Sequence, residues 1–364
     1  MNIGVVTTSF PRHVGDYAGS FVGDHVRQLL AEGHTVDVLA AGDGGHVRVR
    51  ADVDDRREIE HARLTVTRIV PGPSGEREDG LFYGSGAPEA LEQGGPAIWL
   101  AAARFSLALA TAVAKRAHHF DLIESHWLVP SALAALAAAP NGRHRAYAHS
   151  GDVALLERIP FGRAIARRLV RGGIALRFVS AGLQARFAAL AGVPGPVGAV
   201  EPLIPYAGEW SRRAGVDVSG RRQLGLAGPT VLAVGRLVPI KGHDRLVRAC
   251  GRVQAARAAR AADALEVVIL GDGPERARLG RLADELGVHL RLPGFVPRAD
   301  VARWLRASHV YVQPSIRLPG GRSEGAPFAT AEARSVGIPV LVESDIGRLA
   351  EGLSRQLHAT ATGV

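Results

Sequence analysis

Residues 309–342 read H-V-Y-V-Q-P-S-I-R-L-P-G-G-R-S-E-G-A-P-F-A-T-A-E-A-R-S-V-G-I-P-V-L-V. The β-branched and aromatic run His309 to Val312 predicts a strand. A loop rich in Gly, Pro and Arg follows, and then an Ala-rich helix expected to begin at Pro327. Proline suits a first helical turn because its missing N–H would be unpaired there anyway. Gly337 closes the helix, and Ile338 to Val342 predicts the next strand. Strand, loop, helix and strand of this length form a βαβ unit, which requires a parallel sheet with a right-handed crossover. The loop then lies at a strand's carboxyl end, where open α/β sheets bind ligands. Glu324 in the loop and Glu332 in the helix, beside a helix N-terminus, make a place to hold a polyol joined to phosphates. Taken alone, the stretch serves equally well as an ordinary strand–loop–helix with solvated glutamates.

The same alternation extends in both directions. In the first half, strands are predicted at Ile3–Thr7, Thr35–Ala40, Leu64–Val70, Asp121–Trp127, Ala146–His149 and Leu176–Ser180. Helices fall at Ser20–Glu32, Ala97–His118, Ser131–Ala138, Phe161–Arg171 and Ala181–Leu190. A Pro/Gly-rich interval from Val193 to Pro205 reads as a hinge. Beyond it the alternation restarts, with strands at Thr230–Val234, Leu265–Leu270 and Val288–Leu292 and helices at Asp244–Ala262, Arg276–Leu286 and Ala299–Ala307. The expected fold class is α/β, with two Rossmann-like domains, 1–200 and 201–364, facing each other across a cleft.

Composition narrows the class of function. Of 364 residues, 47% are hydrophobic and 22% charged, which describes a soluble globular protein and not a disordered one. No run approaches the roughly 20 apolar residues that span a bilayer. The apolar segments Trp99–Ala117 and Trp127–Ala139 are Ala-rich and are expected to be buried helices. The chain opens directly on a strand, so no signal peptide is expected. Cys250 is the only cysteine, which excludes an intrachain disulfide framework or a cysteine zinc site and fits a reducing cytoplasm. Asp52, Asp54 and Asp55 form a D-x-D-D, but they sit in a charged run with Arg56, Arg57 and Glu58 and read as a solvated loop. The net charge of +9, carried largely by arginine, favours anionic partners such as nucleotide phosphates or an acidic membrane surface. Nucleic acid is disfavoured, because zinc-finger spacing is absent and the basic stretches lack stacking aromatics.

The second half carries the chemistry. Arg236 and Lys241 share one strand-to-helix loop and can converge on a single anion, the first as a planar fork and the second as a compact mobile charge. A diphosphate leaving group needs such a pair, since its charge grows as its bond to carbon breaks. Gly235, the loop Gly271-Asp272-Gly273-Pro274-Glu275 and the Glu324/Glu332 pair all fall at predicted strand ends of the same sheet. In the first half, His126, Trp127, His149 and Asp152 likewise fall at strand ends, on one predicted rim.

As an ordered set these motifs resemble the retaining, metal-independent GT-B glycosyltransferases of family 4. The resemblance is carried by Val234-Gly235-Arg236-Leu237 with Lys241-Gly242, by Gly271 to Glu275, Gly294-Phe295-Val296 and Pro314-Ser315, and by the E-x7-E spacing of Glu324 and Glu332. Gly15 to Phe21, Asp121 to Pro130 and His149-Ser150-Gly151-Asp152 are also similar to it. It implies that a nucleotide-diphosphate sugar lies on the second domain, with its pyrophosphate held by Arg236, Lys241 and Gly19. Glu332 would accept from the ribose, while Glu324, Gly325, Ala326, Pro327 and Phe328 would meet the sugar and ribose. His149 and Glu324 would be catalytic, and Asp16, Tyr17, His126, Trp127 and Asp152 would form the acceptor side. The implied acceptor is lipid-linked, a polysaccharide or a small molecule. No cofactor or metal is implied, and the place is the cytoplasm or the inner face of an anionic membrane. Two departures stand out. Pro205-Tyr206-Ala207-Gly208 replaces the family's Asn-Gly, and the chain ends at Val364, soon after Ser344-Asp345-Ile346-Gly347. A shortened second domain is therefore expected, with an unpaired sheet edge and its last dozen or so residues poorly packed. The alternative reading is a catalytically weak nucleotide- or glycan-binding remnant of such an enzyme.

Overall fold

The chain divides into two compact units, Met1–Leu203 and Ile204–Val364. The computed structural model describes residues 1–13, 16, 18–42, 48–49, 62–69, 95–139, 143–206, 210, 215–259, 263–319, 324 and 327–362. Asp52, Asp54, Asp55, Gly15, Tyr17, Ala207, Gly208, Gly325 and Ala326 lie outside the described residues.

The first unit runs β1 (Asn2–Val6), α1 (Ser20–Ala31), β2 (Thr35–Ala41), β3 (Arg48–Val49), β4 (Leu64–Ile69), α2 (Pro96–Arg116), β5 (Leu122–His126), α3 (Leu133–Ala138), β6 (His144–Ala148), α4 (Ser150–Arg158), α5 (Gly162–Arg171), β7 (Ala175–Phe178), α6 (Ala181–Ala191) and β8 (Ala199–Val200). The strands form one sheet in the order β3-β4-β2-β1-β5-β6-β7-β8, parallel except where β3 pairs with β4. Successive residues of a strand face opposite sides, and here both sides are covered. Ile3 and Val5 pack with Val36 and Val38 against Val22, Val26, Leu29 and Leu30 of α1. Val6 and Leu39 turn the other way, onto Phe105, Leu109 and Val113 of α2.

Helix α2 corrects one expectation. Only its Phe105–Leu109–Val113 stripe is buried, while Trp99, Leu100 and Leu107 are exposed. By length and composition alone, residues Pro96–His119 would suffice to cross a membrane. A sheet face can cover only one stripe of a helix, and Ala-rich composition hides which stripe that is. A helix that was not among those expected, α4, begins at Ser150-Gly151-Asp152. A further difference concerns residues after β5: Leu128–Ala132 form a kinked turn before α3, with Val129 extended and the Val129–Pro130 peptide bond cis.

The second unit runs α7 (Val218–Gln223), β9 (Thr230–Val234), α8 (His243–Ala258), β10 (Glu266–Leu270), α9 (Arg276–Glu285), β11 (His289–Gly294), α10 (Arg298–Ala307), β12 (Val310–Gln313), α11 (Phe328–Val336), β13 (Val340–Val342) and α12 (Ile346–Thr362). Its sheet is wholly parallel, in the order β11-β10-β9-β12-β13. Val231, Ala233, Val267, Ile269, Val310 and Val312 pack on one side against α8 and α12. Leu232, Val268, Leu270 and Tyr311 pack on the other, against α10 and α11. In each unit the order reverses beside the first strand, between β1 and β5 and between β9 and β12. Loops leaving those two strands diverge there and open a crevice at their carboxyl ends.

As far as residue 358, the last whose burial is described, the expected loose packing is not found. Leu349, Leu353 and Leu357 recur at i, i+4 and i+8 on α12 and are buried against the sheet and α8. Strand β13 lies at the sheet edge, with no strand beyond it among the described residues. Leu353→Ala should therefore destabilise the second unit by about 2–5 kcal/mol, whereas exposed Glu351→Ala should stay within about 0.5 kcal/mol. Urea melts followed by hydrogen exchange of the second unit decide this, and equal effects of the two substitutions would refute the packing role.

Candidate functional site

In the second unit, the loops leaving β9 and β12 meet at the reversal point. The β9 loop ends in a short 3-10 turn, Pro239–Lys241, followed by Gly242 in the left-handed region at φ 65°. A Cβ on Gly242 would come within 2.2 Å of the Pro314 carbonyl oxygen, so only glycine lets the loops touch. Beside it, the N–H of Ile316 donates to the Ile240 carbonyl at 2.9 Å. The β10 loop is tied on as well: Leu237 N–H donates to the Asp272 carbonyl at 2.9 Å, and Glu275 N–H to the Leu237 carbonyl at 3.0 Å. Arg236 and Lys241 are thereby carried on one braced loop.

This bracing sets Lys241 Nζ 2.6 Å from Glu324 Oε1. Glu324 is held from its other oxygen too. Tyr311 and Gln313, two apart on β12, share a side of the strand, and the buried Tyr311 hydroxyl donates to Gln313 Oε1 at 2.6 Å. Gln313 Nε2 donates to Ser315 Oγ at 2.6 Å and to Glu324 Oε2 at 3.2 Å, and the Ser315 hydroxyl also donates to Glu324 Oε2. Burial pushes the Tyr311 phenol well above its ordinary value, which keeps it a donor. Four side chains thus orient one carboxylate at the mouth of a parallel sheet.

Glu332 is buried in the second turn of α11, after Pro327 as N-cap and Phe328 as first helical residue. Its Oε1 accepts from Arg298 Nε at 3.0 Å. The Arg298 guanidinium stacks over the rings of Trp210 at 5.1 Å and Phe328 at 5.4 Å. Sequence reasoning missed Arg298, because a contact across 34 residues has no spacing signature. The one available signal was its place immediately after Gly294-Phe295-Val296-Pro297, at the start of a helix that returns over the same sheet edge. Trp210 belongs to the core of the second unit.

In the first unit the residues expected on one rim do come together. His149 is the N-cap of α4, and its backbone N–H donates to Asp152 Oδ2 at 3.1 Å, half of a reciprocal capping box. Asp152 also accepts from Leu128 N–H at 2.7 Å and Val153 N–H at 2.8 Å. Burial lifts its carboxyl to about 7 against the pull of those N–H groups. His126 Nδ1 lies 3.4 Å from His149 Nε2, and its ring stacks on Tyr147 at 4.9 Å. Trp127, at φ 78°, sets its ring 4.6 Å from that of His149. Phe21 and His25 of α1, one helical turn apart, complete the cluster, with Phe21 4.9 Å from His149 and His25 5.1 Å from His126. Neither was foreseen, although their i, i+4 spacing puts them on one helix face.

Glu124 lies beneath. Burial raises its carboxyl, but the bond to His25 and the charge of Arg145, 2.6 Å away, outweigh that and hold it below its ordinary value. Trp127 Nε1 and His126 Nε2 are buried without a hydrogen-bond partner among the described residues. Asp16 and Gly19 serve the loop itself. Asp16 accepts from Arg12 Nε at 2.7 Å and Ala18 N–H at 3.1 Å. Gly19 caps α1 at φ 68°, where a Cβ would meet the Ser9 carbonyl oxygen at 2.3 Å.

Two Rossmann-like units, with cation, carboxylate and helix N-terminus gathered at the strand reversal of the second, define the GT-B class of fold. Over 99% of this chain and 90% of its own, sucrose-phosphate synthase from Thermosynechococcus elongatus superimposes with a TM-score of 0.66 at 18% identity. Residues 221–355 match the family described as "Glycosyl transferases group 1". A GDP-mannose-dependent alpha-(1-6)-phosphatidylinositol monomannoside mannosyltransferase of Mycobacterium tuberculosis is 31% identical over 237 residues, 62% of this chain and 59% of that protein. A putative colanic acid biosynthesis glycosyltransferase WcaL of Salmonella typhimurium is 33% identical over 147 residues, 38% of this chain and 35% of that protein. The matches thus span less than two thirds of the length of these relatives.

The buried histidines give a pH dependence. Burial holds His126 well below the ordinary imidazole value, His149 at about 3, and His144 and His243 at about 4, the last helped by the charge of Lys241. Between about 6.5 and those values the unfolded chain binds more protons than the folded one, so stability is lost as pH falls through that window. Asp152 acts oppositely, its folded carboxyl holding a proton up to about 7, but it is one group against four. The melting midpoint should fall steadily from pH 6.5 to pH 4.5, and a flat or rising midpoint there would contradict the buried neutral state of these rings.

Proposed function

We propose that this chain is a retaining glycosyltransferase that moves a hexose from a nucleotide-diphosphate sugar to a lipid-linked, polysaccharide or small-molecule hydroxyl. The observation that carries this is the Lys241–Glu324 pair, set at the β9/β12 reversal within the group 1 match. Lys241 and Arg236 hold the diphosphate and offset the charge that grows on it as the bond from the sugar's anomeric carbon breaks. Glu324 orients the sugar hydroxyls together with the backbone that follows it, and Glu332 accepts from the ribose diol. The acceptor oxygen forms its bond to the anomeric carbon on the face the diphosphate leaves, and its proton passes to a leaving phosphate oxygen. These cations make a metal ion dispensable in this reading.

His149, His126, Trp127 and Asp152 form the acceptor side. Support comes from the gathering of these side chains where β5 and β6 end, at the carboxyl edge of a parallel sheet. Relatives named for phosphatidylinositol mannosides and for colanic acid favour a glycolipid or polysaccharide acceptor. We place the reaction on the cytoplasmic side, in peripheral contact with an anionic membrane, in keeping with the net charge of +9 and the single cysteine.

Thermal-shift screening against UDP-, GDP- and ADP-sugars identifies the donor, because a ligand that binds only the folded state raises its stability. Lys241→Ala and Glu332→Ala should each weaken donor binding about 10–100-fold, as expected for losing a charged hydrogen-bond partner. His149→Ala should chiefly lower turnover. Unchanged donor affinity in both of the first two variants would remove the donor-site assignment.

A further inference from the structure

The two carboxylates of the donor site differ in how they are held. Glu324 is paired with a lysine on the braced β9 loop, whereas Glu332 is paired with an arginine that lies over two aromatic rings. The Arg298 side chain is 18% exposed and that of Glu332 is 8% exposed. An ion pair at an open surface contributes little, because two long side chains must be ordered for a screened attraction. Here the ordering is done in advance: the guanidinium lies over Trp210 from the core and Phe328 from the start of α11, at 5.1 and 5.4 Å. Stacking fixes the plane of the fork, and Nε then fixes one oxygen of Glu332 at 3.0 Å. Lysine carries the same charge but offers neither the plane nor the directed Nε donor.

The arrangement also answers an electrostatic difficulty. A buried, unpaired carboxylate beside a bound diphosphate would repel it and would itself take up a proton or swing towards water. A protonated or displaced Glu332 is a poor acceptor for a diol. We infer that Arg298, held over the rings of Trp210 and Phe328, is the positioning residue that keeps Glu332 aimed at the ribose of the donor; this rests on the reading of Glu332 as the ribose acceptor. Arg298 touches no reacting atom in this scheme. Its effect is on recognition of the ribose hydroxyls and not on the phosphate or sugar contacts.

The test uses the full chain and compares, by calorimetric titration, the nucleoside diphosphate found to bind best among UDP, GDP and ADP with its 2′,3′-dideoxy counterpart. Wild type should bind the ribonucleotide about tenfold more tightly than the dideoxy analogue. In Arg298→Met this preference should collapse to less than about twofold, through weaker ribonucleotide binding alone, with dideoxy affinity held within about twofold. Unchanged dideoxy affinity also reports that the site is still folded. Arg298→Lys should lose most of the preference too. In turnover, KM for the donor should rise about tenfold while kcat changes less than about threefold. If Arg298→Met keeps the wild-type ratio with dideoxy affinity unchanged, or Arg298→Lys keeps that ratio, the inference is overturned. Should Arg298→Met weaken both ligands equally, Arg298→Lys decides by the same ratio. A wild type that shows no preference, or binds none of the ribonucleotides, would instead remove the role of Glu332 or the donor site itself, and this inference with it.

Discussion

Charge pairing at the end of a parallel sheet is what the second unit's site depends on. Two carboxylates are brought to the reversal between β9 and β12, and each is matched to a cation, Glu324 to Lys241 and Glu332 to Arg298. Without those partners the crevice would present negative charge to any phosphate. The sheet makes the pairing possible because neighbouring parallel strands deliver their following loops to the same edge. Short braces among the β9, β10 and β12 loops then fix the distance to one hydrogen bond.

The first unit solves a different problem with the same topology. Its rim gathers rings instead of opposite charges: His126, Tyr147, His149, Trp127, Phe21 and His25 contact one another in edge-to-face, tilted or stacked pairs. Burial keeps His126 and His149 neutral, so the cluster offers directed hydrogen-bonding nitrogens without net charge. The ionised pair beneath, Glu124 with Arg145 and His25, is confined to a lower layer.

Sequence alone made the architecture legible where periodicity and glycine punctuation agree. Thr230–Val234 is a strand with those very limits, because an apolar run ending at Gly235 leaves no other choice. Convergence of Arg236, Lys241, Glu324 and Glu332 on one edge also followed from chain order. What could not be read were contacts set by tertiary geometry: the partner of each glutamate, the aromatic clamp on Arg298, and the donation of His25 to Glu124. Helix α4 was hidden because histidine is an unusual N-cap, and only Asp152 three residues later hinted at a capping box. At α12 the expectation followed family precedent about chain length, although the leucines at 349, 353 and 357 already spelled an amphipathic helix.

Strand β12 has one more implication. Val310 and Val312 serve the core under α8 and α12, while Tyr311 and Gln313 carry the polar relay on the opposite side. Because side chains alternate strictly, inserting or deleting one residue upstream in this strand would exchange the two sets. The phenol and amide would be driven into hydrocarbon, and valines would stand where Glu324 needs donors. Parity of this strand therefore links foldability to ligand recognition, so that natural variants of this segment should tolerate changes of residue type far more readily than changes of length.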